Sequence, residues 1–84
     1  MAEVQYYAMA AAGRASRSAS GLARRIYAPA GPVDESLCRD LTWRPDSAIV
    51  EWEYGDLGAE LVKITKEDAA RLLETFRARW GRQA

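Results

Sequence analysis

Apolar residues recur at three- and four-residue intervals near the end of the chain: Ala69, Leu72, Leu73, Phe76 and Trp80. That spacing lays them along one stripe of a helix, with Arg71, Glu74, Arg77 and Arg79 mostly on the remaining surface. Thr65 offers its side-chain oxygen to the free amides of a first turn, and Glu67 and Asp68 complement the positive end of the helix dipole. Asp68 stands where a capping box holds Glu or Gln, so the box is imperfect. Gly81 supplies a stop. The pattern predicts a helix over Lys66–Trp80.

Ahead of it the period changes. From Ala48 to Tyr54 the residues are β-branched or aromatic at alternate positions, with Val50, Trp52 and Tyr54 on one side and Glu51 and Glu53 on the other, which predicts a strand. Gly55-Asp56-Leu57-Gly58 carries turn chemistry, and Leu61-Val62-Lys63-Ile64 reads as the strand returning from it. In the first third, Val4–Ala11 is open between strand and helix, since its tyrosines favour one and its alanines the other. Leu22–Tyr27 reads as a strand stopped by Pro29, Gly31 and Pro32. These two segments form a hairpin joined by a flexible, basic and serine-rich loop over 12–21. Asp34 can cap a short helical turn through Arg39, and Trp43-Arg44-Pro45-Asp46 reads as a turn, because a residue before proline is steered away from helix.

The expected fold is therefore α+β, in the order β-β-(short α)-β-β-α. It is an antiparallel sheet of about four strands packed by the C-terminal helix, each needing the other's apolar face. The expected core is Val4, Tyr6, Leu22, Ile26, Val50, Trp52, Val62, Ile64, Leu72, Leu73, Phe76 and Trp80, with Trp52 and Trp80 meeting between strand and helix. Eighty-four residues make one small domain, 1–84, with a thin core.

Charge sharpens this outline. Twelve basic residues balance twelve acidic ones. Residues 1–33 set four arginines against Glu3, residues 34–68 set ten acids against four bases, and residues 69–84 set four arginines against Glu74. Basic ends around an acidic middle suit attraction within the fold. No apolar run approaches the ~20 residues of a membrane helix, and the stretch from Tyr6 to Ala12 has no basic segment before it, as a secretory signal would. A lone Cys38 cannot close an internal disulfide, which suits a reducing cytoplasm.

Candidate chemistry is sparse. There is no histidine, the commonest general base and metal ligand. Cys38 has only Arg39 nearby to activate it and reads as a small apolar residue. Glu51 and Glu53, about 6.5–7 Å apart on one strand face, could hold a hard cation with Asp56, yet a solvated face explains them more simply and the calcium-loop pattern is missing. Arg14, Arg17, Arg24 and Arg25 lie among Ser16, Ser18 and Ser20 with Tyr6, Tyr7 and Tyr27 close by, a set suited to nucleic-acid phosphates. A sequence pI of about 6.2 argues against a dedicated nucleic-acid module. Trp43, beside a proline turn and flanked by Arg44, is the candidate contact for a protein partner.

The runs Trp43-Arg44-Pro45, Glu53-Tyr54-Gly55-Asp56 and Leu61-Val62-Lys63-Ile64-Thr65-Lys66-Glu67-Asp68-Ala69, with the early tyrosine pair and the arginines before Tyr27, resemble small uncharacterised proteins of high-GC Gram-positive (actinobacterial) bacteria. The resemblance implies a cytoplasmic protein and carries over no catalytic residue. The functional expectation is a non-enzymatic protein-interaction or regulatory module, possible as a homodimer, without cofactor or membrane. Nucleic-acid backbone binding through Arg14–Arg25 is the alternative, and a small enzyme or metal site on Glu51, Glu53 and Asp56 the third.

Overall fold

A computed structural model describes residues 3–10, 19–55 and 60–81. The elements are β1 (Glu3–Ala10), β2 (Gly21–Ala28), β3 (Gly31–Leu37), β4 (Trp43–Pro45), α1 (Ala48–Glu53), β5 (Glu60–Ile64) and α2 (Lys66–Trp80). The architecture is α+β as expected, but the antiparallel sheet has five strands in the order β4-β3-β2-β1-β5, and a helix lies on each face.

β1 is buried from both sides, which is why its sequence does not alternate. Tyr6 and Ala8 point towards α2, whereas Tyr7 and Met9 point towards α1. β2 follows suit: Ala8 lies opposite Leu22 on the α2 side, and Tyr7 lies opposite Ala23 on the α1 side. Alanine at positions 8 and 23, both fully buried, lets each helix approach the sheet closely. The core thus comes in two thin halves. Ala8, Leu22, Leu37, Ala69, Phe76 and Trp80 pack under α2, and Tyr7, Ala23, Ile49 and Leu61 pack under α1. Within the larger half, the Phe76 and Trp80 rings stack with centroids 4.4 Å apart. In the smaller, Trp52 meets Tyr7 edge-on. Trp52 and Trp80 therefore lie on opposite faces of the sheet and do not meet.

α2 has the expected bounds, and the Thr65 hydroxyl accepts the Asp68 amide at 3.1 Å. Gly81 ends it differently from expectation: with φ −61° it stays right-handed, its amide donating to the Arg77 carbonyl. The other departures lie in the middle of the chain. Ala48–Glu53 is a helix, not a strand, because Ala48, Ile49 and Trp52 sit at one-and-three-residue offsets that make a single buried helical face. Val50 and Tyr54, expected to point inward with Trp52, are exposed, and so is Val62. Tertiary burial overrides the β-propensity of the segment.

Asp34–Arg39 forms no helical turn. Asp34 and Glu35 lie within β3, opposite Arg25 and Arg24. Pro29 and Ala30 make the tight connection from β2 to β3, and Gly31 follows at φ +125°, a conformation open to glycine. Trp43–Pro45 is a three-residue strand at the sheet edge, where the missing proline amide breaks no ladder. Leu61–Ile64 does not return to residues 48–54; β5 pairs with β1, from Tyr6 opposite Ile64 to Ala10 opposite Glu60. α1 carries the chain beneath the sheet from one edge to the other. Most of the loop expected over 12–21 lies outside the described residues, although Ala19 is buried and Gly21 opens β2.

Candidate partner-binding groove

β-Strand alternation separates neighbours in sequence. On the α2 side, Tyr6, Arg24, Glu35 and Pro45 form one cross-strand rank, and Trp43 follows on the same side opposite Leu37. Arg24 is the centre of this group. Its Nε donates to Glu35 Oε1 at 2.8 Å, Nη2 lies 2.7 Å from the same oxygen, and the guanidinium carbon sits 4.0 Å from the Trp43 ring centroid. Tyr6 closes the other side, its ring centroid 6.3 Å from that of Trp43. Charge pairing and cation–π stacking hold Arg24 in one place.

Between these side chains and the first turns of α2 lies an open groove of about 190 Å³. Tyr6, Trp43 and Arg24 make one wall, the buried Leu22 and Ala69 with Leu73 the floor, and the exposed Lys66 and Ala70 the helical lip. The lining is mostly apolar. The next rank away from the helix, Val4, Ile26 and Val33, extends this apolar surface, and Val33 is 43% exposed.

The other face carries a second cluster. Arg25 donates through Nε and Nη2 to the two oxygens of Asp34, and through Nη1 and Nη2 to those of Glu53. One guanidinium thus ties β2, β3 and α1 together. The hydrogen bonds it donates, first to Asp34 and then to Glu53, hold its pKa above the ordinary arginine value. The reciprocal hydrogen bond lowers that of Glu53. Tyr7 beneath it is raised, chiefly by desolvation.

The sequence-predicted site residues are dispersed by this geometry. Trp43 and Arg44 point to opposite faces of the sheet, so they do not form one contact. Trp43 shapes the groove, while Arg44 pairs with Asp40 at 2.8 Å in the β3–β4 turn. Hydrogen bonds from Thr42, ahead of the Arg44 contribution, lower the Asp40 pKa. Arg24 and Arg25 likewise face opposite ways, and each is engaged by carboxylates. Arg14 and Arg17 lie outside the described residues. Glu51 and Glu53 share no strand face: Glu51 accepts from the Ser47 hydroxyl, and Glu53 holds Arg25. Asp56 lies outside the described residues, and among those described no three metal-ligating side chains converge.

Tyr6, expected in the core or as a stacking platform for bases, instead stands beside Trp43, and Lys66 belongs to none of the expected contact sets. A signal for the Arg24–Glu35 pair was present, since Arg24-Arg25 and Asp34-Glu35 are placed symmetrically about Pro29-Ala30. A two-residue turn there sets each arginine opposite an acid. No protein-family model, no curated protein and no solved structure matches this chain.

Proposed function

We propose that this protein is a non-enzymatic interaction module that receives one bulky apolar side chain of a protein partner in the Tyr6–Trp43 groove. The observation that carries this reading is the groove itself: aromatic walls and an aliphatic floor, open to solvent, about 190 Å³ in volume. Small-molecule and cofactor pockets usually span ~300–1,000 Å³, so this groove suits a single anchoring side chain. Aromatic residues and arginine in such a setting are the usual centre of protein contacts. The Val4–Ile26–Val33 rank beside it gives the flanking chain of a partner an apolar bed. The polar groups lining the groove, from Tyr6, Arg24 and Lys66, suit recognition more than proton transfer.

A nucleic-acid role would require Arg25 to give up its bonds to Asp34 and Glu53, and Arg24 lies on the opposite face of the sheet and cannot join it on one backbone, which weighs against that alternative.

The direct test is a ¹H–¹⁵N titration with N-acetyl-phenylalanine amide and N-acetyl-leucine amide. Shifts should cluster on the Trp43 indole, Ala69, Ala70 and Leu73. Ala70→Trp, which fills the lip from an exposed helical position, should abolish them. Shifts scattered over the surface, or unchanged by Ala70→Trp, would remove the groove from consideration.

A further inference from the structure

We infer that the partner segment carries an acidic residue directly beside its apolar anchor, and that Lys66 and Arg24 receive its carboxylate. This rests on the groove being the partner site and specifies the chemistry that site selects.

The charged residues lining the groove are Lys66 and Arg24, and none is acidic. Lys66 is the first residue of α2, at the positive end of the helix dipole, where a cation is unfavourable. It makes no ion pair among the described residues. The nearby acids do not offset it, because Glu67 and Asp68 are one and two residues on and so turn away around the helix. Asp68 is also engaged by Arg71 at 3.3 Å.

Arg24 adds the second donor. Its Nε and Nη2 both converge on one oxygen of Glu35, which leaves Nη1 without a partner among the described residues. Stacking on Trp43 fixes the guanidinium in advance, so a carboxylate arriving there finds a donor already oriented. Lys66 and Arg24 both line the groove that would seat a bulky side chain between Tyr6, Trp43 and Leu73, so an aspartate next to that anchor meets the two cations of the same site. The excess positive charge of the lip and the negative charge of the segment are complementary, which adds to specificity and to the rate of encounter.

The experiment compares the capped peptides Ac-Gly-Phe-Asp-Gly-NH2 and Ac-Gly-Phe-Asn-Gly-NH2 by chemical-shift titration against the whole chain, at low and at physiological salt. The aspartate peptide should bind about two- to five-fold more tightly at low salt, with the difference shrinking as salt rises. Lys66→Glu should reverse the preference, and a lysine in place of the peptide aspartate should then bind this variant more tightly than the aspartate peptide does. Equal affinity for the aspartate and asparagine peptides, or a preference untouched by Lys66→Glu, overturns this inference while leaving the groove as an apolar site. Failure of every peptide to move the groove resonances overturns both.

Discussion

Arg25 and Asp34 face each other across β2 and β3 with two parallel hydrogen bonds, Nε to Oδ1 at 2.8 Å and Nη2 to Oδ2 at 3.0 Å. Their side chains keep only 14% and 12% of their exposure. The pair sits under α1, whose Glu53 takes the remaining side of the same guanidinium. Removing the arginine therefore strands one mostly buried acid and unties a helix of six residues that has no side-chain cap hydrogen bond of its own. Arg25→Ala should destabilise the fold by about 2–3 kcal/mol, below the ~3–5 kcal/mol of a fully buried pair because water still reaches Asp34. Urea denaturation measures it. Glu53→Gln should cost less than Arg25→Ala, since the Glu53 side chain is 45% exposed. The reverse ranking would mean that Glu53 supports α1 through something other than its bonds to Arg25.

Acid should weaken the same junction. The hydrogen bonds from Arg25 hold the Glu53 pKa below its ordinary 4.5. A carboxylate whose folded pKa is depressed contributes stability that is present above the unfolded value and disappears as pH falls through the folded one. Denaturation midpoints should be flat from neutral pH to about 5 and fall below it. Glu53→Gln should make that fall shallower. An identical slope in wild type and variant would exclude Glu53 as a contributor.

α1 makes opposite predictions for two adjacent residues. Ile49 is 1% exposed under the sheet, whereas Val50 is 39% exposed. Ile49→Ala should cost about 2–5 kcal/mol, and Val50→Ala about 0.5 kcal/mol or less. Had residues 48–54 formed the expected strand, Val50 would have been the costly position.

Two glycines separate backbone strain from packing. At Gly31 an added methyl would touch nothing within 4 Å, but φ is +125°. Gly31→Ala should thus lose about 1–3 kcal/mol through backbone strain alone. Gly81 has equally open surroundings but a right-handed φ of −61°. Gly81→Ala should be neutral or stabilising by up to about 1 kcal/mol. Thermal unfolding of the two variants side by side gives the comparison.

On the other face, Phe76 is fully buried and stacked on Trp80. Phe76→Ala should cost about 3–5 kcal/mol. Leu73→Ala should cost less, because Leu73 is only half-buried and borders the groove. Loss of the titration response in Leu73→Ala with the fold intact would tie the groove floor to binding.

How much of this was legible in the sequence follows the range of the forces involved. α2 could be read in full because its stripe, its Thr65 cap and its acidic first turn all act within a few residues. α1 could not, because its six residues satisfy two periods at once. Val50, Trp52 and Tyr54 alternate, while Ala48, Ile49 and Trp52 make a helical face, and only the waiting pocket beside Tyr7 and Leu61 decides between them. Leu61–Ile64 is legible as a strand but not as the partner of β1, because nothing local in it specifies that pairing. The groove depended on register. Tyr6, Arg24, Trp43 and Lys66 come from four elements, and no spacing along the chain brings them together.

The remote pairing of β1 with β5 also sets an order of events during synthesis. β1, β2 and β3 join through hairpins and can associate as soon as they emerge. The outer edge of β1 then stays unpaired until residues 60–64 arrive, and contacts so distant in sequence form slowly. For that interval the apolar segment Tyr6–Ala10 presents a bare strand edge and two uncovered faces, the kind of surface that pairs with other chains. The nascent chain is thus most prone to aggregation in its first half, and completing the second half closes that risk.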